Sequence, residues 1–221
     1  MTATVSLLDP RDDRRFAAVI TIYAAAIEPS EQKPPDVLRG HVADQRYGFL
    51  VAEIGGKVVG FAAVFVPASR DFWLLEYLAV DAVRRSAGLG ATLFDAAVAY
   101  ADKIARDRFG LLEVDAADAT VGEGNDVPRR LQFYARHGCR QIEGLRYMLP
   151  LTARGTPPVM QLLVQGRPTQ TSVARSTLQD WLATLYVEVY GQSRDGPRPA
   201  DMTARLPDTL RLVAIGSAAG G

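Results

Sequence analysis

One cysteine, Cys139, and two histidines, His41 and His137, are all this 221-residue sequence holds of those residue types. A lone thiol cannot close an intramolecular disulfide, and three such ligands fall short of the four a structural Cys/His zinc site needs. No metal is therefore expected, and the natural setting is a reducing cytoplasm. Charge of one sign is also missing. The 25 basic and 25 acidic residues cancel, leaving no overall field to hold a polyanion, so nucleic acid and acidic membrane surfaces are not expected partners. Long apolar runs are absent too: the longest, 16–27 and 58–66, fall short of the ~20 residues of a membrane helix. Asp9, Arg11, Asp12, Asp13, Arg14 and Arg15 stand where a secretion signal needs an apolar stretch.

What remains is the composition of an ordinary globular chain, 48% hydrophobic and 23% charged. A domain of about 150 residues already buries roughly 70% of its unfolded surface, so one domain with a full core fits and a second would be cramped. Asp9-Pro10 followed by acids reads as a helix start, with Asp9 capping and the helix running to Ile27. Residues 28–35 form a proline-broken loop, and Asp36 caps a short helix to about Val42. The period then changes. Residues 49–54 and 57–66 read as two strands joined by a Gly55-Gly56 hairpin turn, and 72–80 as a third strand whose only charge is Glu76. Apolar residues at spacings of three and four make 91–106 an amphipathic helix, closed by Gly110, and 111–116 the next strand. Strand, turn, helix and strand in that order make a βαβ unit with parallel flanking strands. After a polar loop over 118–128 come a helix begun by Pro128, over 129–136 and ended by Gly138, and strands at 146–151 and 159–165. Residues 173–190 read as one long helix. The rest is loop-rich, with one short element within 206–215 and a mobile end at 217–221.

The most informative segment is the third strand and the turn after it, Arg85-Ser86-Ala87-Gly88-Leu89-Gly90-Ala91. Glycines at 88 and 90 let backbone N–H groups converge at a helix start, where unpaired donors and the helix dipole attract anions such as a diphosphate. The segment lacks the Gly-Lys of a Walker loop, and Leu93 stands where a dinucleotide fingerprint has Gly or Ala. At this level a purely structural tight turn is equally open.

Spacing separates the two. Val80, Arg85, Gly88 and Gly90 resemble the acyl-CoA signature of the GNAT superfamily of N-acetyltransferases. In that signature Arg or Gln, two residues, Gly, one residue and then Gly or Ala follow a strand ending in a valine-like position. Leu131-Gln132-Phe133-Tyr134-Ala135-Arg136-His137-Gly138-Cys139 resembles the family's late helix, with an aromatic-tyrosine pair, a turn and a Gly-Phe corner. The likeness is sharp from Leu74 to Cys139 and extends by element order from Val5 to Gln165. Two departures stand out. Val127 occupies the position where the family often has Asn, with Asn125 two residues earlier, and Cys139 takes the place of the corner Phe, as a small apolar core residue.

The resemblance implies a mixed α/β (α+β) fold: a mostly antiparallel sheet with a central βαβ unit, helices on both faces and a C-terminal helical extension. Residues 1–165 suffice for the acyltransferase domain, leaving 166–221, the long helix and the loop-rich tail, as the extension. It implies acetyl-CoA as donor, with Leu78, Ala79 and Val80 pairing to the pantetheine by backbone and the turn Arg85, Ser86, Ala87, Gly88, Leu89, Gly90 and Ala91 holding the pyrophosphate. Asn125 is expected to contact the pantetheine arm. Transfer is direct, an amine attacking the thioester in a ternary complex, with positioning and oxyanion stabilisation supplying most of the rate.

Glu76 is the candidate base and Tyr134 the candidate acid for the departing thiolate. A free carboxylate near pKa 4.3 faces an alkyl ammonium near 10.4, so such a base needs burial or a water chain; an edge-facing or ion-paired strand glutamate is the alternative reading of Glu76. Tyrosine near 10 protonates a thiolate near 8.5 only at a cost of roughly 2 kcal/mol, so Tyr134 mainly orients the sulfur. Glu28, Glu31 and Asp36, opposed by Lys33, make an acidic acceptor-side loop, and Tyr147 lines the same site by position. The expected acceptor is a small-molecule or protein amine, with a homodimer left open. A non-catalytic acyl-CoA-binding module shares the cofactor residues and differs at Glu76 and Tyr134.

Overall fold

Gly55 and Gly56 take positive φ, 58° and 73°, as a two-residue turn between strands requires at both central positions. The chain reverses there into an antiparallel hairpin of β2 (Tyr47–Ile54) and β3 (Lys57–Phe65). The computed structural model describes residues 2–29, 31–85, 88–115, 127–149, 159–193 and 198–217, in two units, Met1–Arg108 and Phe109–Gly221. In the first, β1 (Thr4–Leu7) pairs with β2 and β4 (Phe72–Val80) with β3, all antiparallel. Helices α1 (Asp13–Ala26), α2 (Pro35–Ala43) and α3 (Leu89–Ile104) cover them.

Alternation along β3 sorts the helices by face. The ring of Phe61 meets Tyr23 of α1, and Phe65 meets Tyr47, which stacks on His41 of α2. A Cβ at Gly60, the neighbour of Phe61 on the opposite face, would sit 2.9 Å from Leu93 of α3, and one at Gly48 2.3 Å from the Tyr100 ring. Thus α1 and α2 pack on one face and α3 on the other, at two points where only glycine leaves room.

Three boundaries in this unit differ from the sequence expectation. The cap of α1 is Asp12, whose Oδ1 accepts the Arg15 N–H at 2.9 Å; Asp9 instead accepts the Arg11 N–H at 2.8 Å, so Pro10 lies in a turn before the helix. Asp36 sits inside the first turn of α2, which starts at Pro35, a residue with no N–H to leave unpaired there. Gly110 does not end α3; Asp107 reverses the chain at φ 62°, and Gly110 lies in the following strand.

In the second unit, β5 (Phe109–Asp115) pairs with β8 (Val159–Gln165), whose other edge takes β6 (Arg140–Ile142) and β7 (Tyr147–Met148). β10 (Thr209–Val213) runs between β6 and β9 (Ser172–Ala174). The expected helix over 173–190 is therefore shorter. Val173 is buried in β9 opposite Leu210, α5 runs Arg175–Thr184, and a π-helical turn, Leu185–Val189, completes it. The tail carries α6 (Arg198–Thr203) as well as β10. The helix expected to begin at Pro128 and run over 129–136 is α4 (Val127–Arg136), with Pro128 in its first turn. Of the strand expected at 146–151, β7 is the part seen among the described residues; 150–151, the loop 118–126, the linker 153–158 and the end 218–221 lie outside them. Among the described residues no helix is long and apolar enough to cross a membrane.

Candidate active site

The register between β3 and β4 slips at one residue: Ala63 faces Tyr77, Val64 faces Leu75, and Glu76 between them has no opposite number. Glu76 is thus the extra residue of a β-bulge, a feature that leaves backbone unpaired and re-aims a side chain. Its side chain is 5% exposed. From there Glu76, Leu78 and Val80 form the half-open face of the strand, while Leu75, Tyr77 and Ala79 are buried.

The Glu76 carboxylate is ion-paired. Its Oε1 accepts from Lys33 Nζ at 2.5 Å, and the Lys33 side chain is 18% exposed. The lysine is held from behind. Its backbone N–H donates to Tyr23 Oη at 2.7 Å, Gln32 Nε2 donates to the carbonyl of Ile27 at 2.7 Å, and Pro34 confines Lys33 to extended backbone. Tyr23 and Tyr77 meet edge to face at 5.0 Å, hydroxyl to hydroxyl at 3.4 Å. Burial, followed by the nearby Glu76 charge, pushes the phenols of Tyr47 and Tyr77 far above their ordinary value. Burial lowers His41 against the opposing pull of Glu76. The Glu76–Lys33 pair thus lies close to the buried phenols of Tyr23, Tyr47 and Tyr77 and to the His41 imidazole.

Beyond Val80, Asp81 caps a 3-10 turn, Ala82–Arg84, through the Val83 N–H. Arg85 is exposed, and Ser86 and Ala87 lie outside the described residues. Gly88 is the residue before α3, at φ 77°. A Cβ there would meet nothing within 4 Å, so the conformation, not space, calls for glycine. Among the described residues no side chain caps α3, and no acid stands in its first turn. The opening N–H groups at Leu89, Gly90 and Ala91 precede the helix's own hydrogen-bond ladder, in the arrangement that suits an anion. Those donors and the open Cα of Gly88 fit a pyrophosphate.

In the second unit, Tyr134 is 7% exposed near the end of α4, where its carbonyl accepts the N–H groups of His137 and Cys139 across Gly138 at φ 76°. Burial raises its phenol well above the ordinary tyrosine range, opposed by Arg130. Cys139 is 3% exposed, and burial pushes its thiol up to about 12, which suits a core residue. Tyr147 is buried and donates to Glu113 Oε1, while Tyr190 donates to Glu113 Oε2. Of the acceptor-loop acids, Glu28 is exposed and Glu31 half-buried, the Glu31 N–H donating to the Glu28 carbonyl at 2.9 Å. Asn125 lies outside the described residues.

Sequence reasoning did not find the pairing of Lys33 with Glu76, 43 residues apart, nor the gathering of Glu113, Tyr147 and Tyr190. One sign was available for the first: Lys33 is the loop's only cation, and its two following prolines stiffen it.

A family model described as the acetyltransferase (GNAT) family matches residues 16–138. No curated protein matches. Among solved structures, a GNAT-family chain from Bacteroides thetaiotaomicron is similar at 19% identity and a TM-score of 0.67, over 86% of this chain and 99% of that one. The ribosomal-protein-S18-alanine N-acetyltransferase from Escherichia coli is similar at 20% identity and 0.56, over 75% and 94%. An aminoglycoside 6'-N-acetyltransferase complexed with coenzyme A is similar at 15% and 0.56, over 75% and 99%. At these identities the likeness is one of fold.

Proposed function

We propose, from the premise that this chain belongs to the acetyltransferase (GNAT) family and is an acyltransferase that uses acetyl-CoA, that it acetylates a primary amine by direct attack within a ternary complex. The observation that carries the reading is Glu76, a carboxylate at a strand bulge, shielded from solvent and already in contact with an alkyl ammonium. A general base has to lie within hydrogen-bond reach of the proton it removes, and an amine in the place of Lys33 Nζ meets that condition. Glu76 takes the proton, the nitrogen attacks the thioester carbon, and the resulting oxyanion is met by backbone N–H groups of the β4 segment Leu78, Ala79 and Val80.

The remaining assignments belong to the same proposal. The turn from Arg85 through Ser86, Ala87, Gly88, Leu89, Gly90 and Ala91 holds the pyrophosphate, and Asn125 the pantetheine arm. Tyr134, a protonated phenol at neutral pH, donates a hydrogen bond to the departing sulfur. Glu28 and Glu31 face the acceptor, a small-molecule or protein amine, and Tyr147 is not assigned to it because it is buried with its hydroxyl on Glu113. Residues 1–165 carry the transfer in a cytoplasmic setting, with 166–221 as the extension.

Thiol release from acetyl-CoA over a panel of primary amines, amino acids, aminoglycosides and N-terminal peptides tests the reading. Release above the hydrolysis background with any one of them supports it. Tight acetyl-CoA binding without release across the panel contradicts it and leaves a binding module.

A further inference from the structure

We infer that Lys33 is itself an acetyl acceptor, so that the enzyme modifies its own acceptor-side loop; this rests on the acetyl-transfer reading above. The chain has three lysines, Lys33, Lys57 and Lys103. Lys57 and Lys103 are exposed and stand in no described contact with a carboxylate. Lys33 alone has its ammonium on the proposed base, Nζ to Glu76 Oε1 at 2.5 Å. Three contacts make that placement reproducible: the Lys33 N–H on Tyr23 Oη, Gln32 on the end of α1, and Pro34 behind.

Reach is not the obstacle. Glu76 and Leu78 lie on the same half-open face of β4, two residues or about 6.6 Å apart. A lysine stem pivoting from its tethered backbone spans that distance toward the β4 backbone assigned to the thioester. The chemistry needs only acetyl-CoA. Glu76 takes one proton from the ammonium, and Nζ attacks the thioester carbon and forms the C–N bond. The C–S bond breaks, and the second nitrogen proton ends on the CoA thiol. The products are acetyl-Lys33, CoA and one proton released to solvent through Glu76. Acetyl-Lys33 is neutral, so modification also breaks the ion pair with Glu76.

The test is incubation of the full chain with isotopically labelled acetyl-CoA, followed by peptide mapping of all three lysines over time, at two protein concentrations, beside the amine-panel assay. Lys33 is expected to label faster than Lys57 and Lys103 although it is far less exposed, at a rate independent of protein concentration. Glu76→Gln is expected to slow labelling at Lys33 roughly a hundredfold, the lower end of a positioned base's contribution, and to leave Lys57 and Lys103 unchanged. Tyr23→Phe, which frees the Lys33 backbone, slows Lys33 by a smaller factor and serves if Glu76→Gln does not fold. Lys33 labelling at or below the two exposed lysines, or insensitive to both substitutions, overturns the inference. A rate that rises with protein concentration overturns the intramolecular step. An active amine panel with Lys33 unlabelled refutes self-acetylation alone, whereas an inactive panel with no labelling refutes the acetyl-transfer reading with it.

Discussion

Replacing Gly88 by Ala separates a turn that holds an anion from one that merely connects two elements. Gly88 has φ 77° and an open Cβ position, so the substitution adds no clash and its cost is conformational, about 1–2 kcal/mol for an L-residue in left-handed backbone. Gly56, in the β2–β3 hairpin, is a matched control at φ 73°, also with nothing within 4 Å of a Cβ. In the free Gly88→Ala protein the turn relaxes out of the left-handed region. Binding CoA then has to restore it, and the same 1–2 kcal/mol appears as a rise in Kd of about 5- to 30-fold. Gly56→Ala puts its cost into stability and leaves the Kd alone. Urea melts and calorimetric CoA titrations on the two variants measure both quantities. Equal CoA affinities in Gly88→Ala, Gly56→Ala and wild type, with Gly88→Ala destabilised, would refute the assignment of the pyrophosphate to the start of α3.

Tyr134→Phe should lower kcat about tenfold and leave the acetyl-CoA Kd unchanged, since the phenol acts on the leaving sulfur; wild-type kinetics would make Tyr134 a packing residue only. Burial lowers the folded His41 below its unfolded value near 6.5, so the unfolded chain binds more protons just below that pH. Stability therefore declines as the pH is lowered through 6.5, and His41→Phe, which keeps a ring against Tyr47, should flatten that part of a pH series of urea melts. Cys139, buried with its thiol pushed up to about 12, should resist a thiol reagent at pH 8 in the native protein and react fully in urea. Gly60→Ala places a Cβ 2.8 Å from the Ala79 carbonyl and 2.9 Å from Leu93 and should cost about 1–3 kcal/mol by overpacking, read as a drop in Tm.

The parts of the fold legible in the sequence are those that local chemistry dictates. β2 and β3 are largely apolar runs joined at Gly55-Gly56, β4 is apolar but for Glu76, and α3 repeats its apolar residues at helical spacing. Gly88 and Gly138 stand where backbone of positive φ is needed. β1 escaped because three of its four residues are exposed, and β6 and β9, of three residues each, exist only because longer strands lie beside them. By local pattern Val173 reads as the start of a helix; its place in β9 depends on Leu210, far along the chain. The same holds for the site. Glu76 stood out as the only charge in an apolar strand, but the bulge beneath it is a property of two strands together. In the loop 28–35 the acids drew notice, and the residue that reaches the strand is the lysine between them and the prolines. Contacts across 43 and 77 residues, such as Lys33 with Glu76 and Tyr190 with Glu113, are made by the fold and not by neighbours in sequence.

The measurement closest to the central claim is the steady-state rate of Glu76→Gln with the best amine of the panel, set beside its acetyl-CoA Kd. The amide keeps the size and hydrogen-bonding reach of the side chain and removes the base. A fall in kcat of roughly a hundredfold with acetyl-CoA affinity and Tm close to wild type is the predicted result; an unchanged kcat would contradict it and leave Glu76 as the structural partner of Lys33.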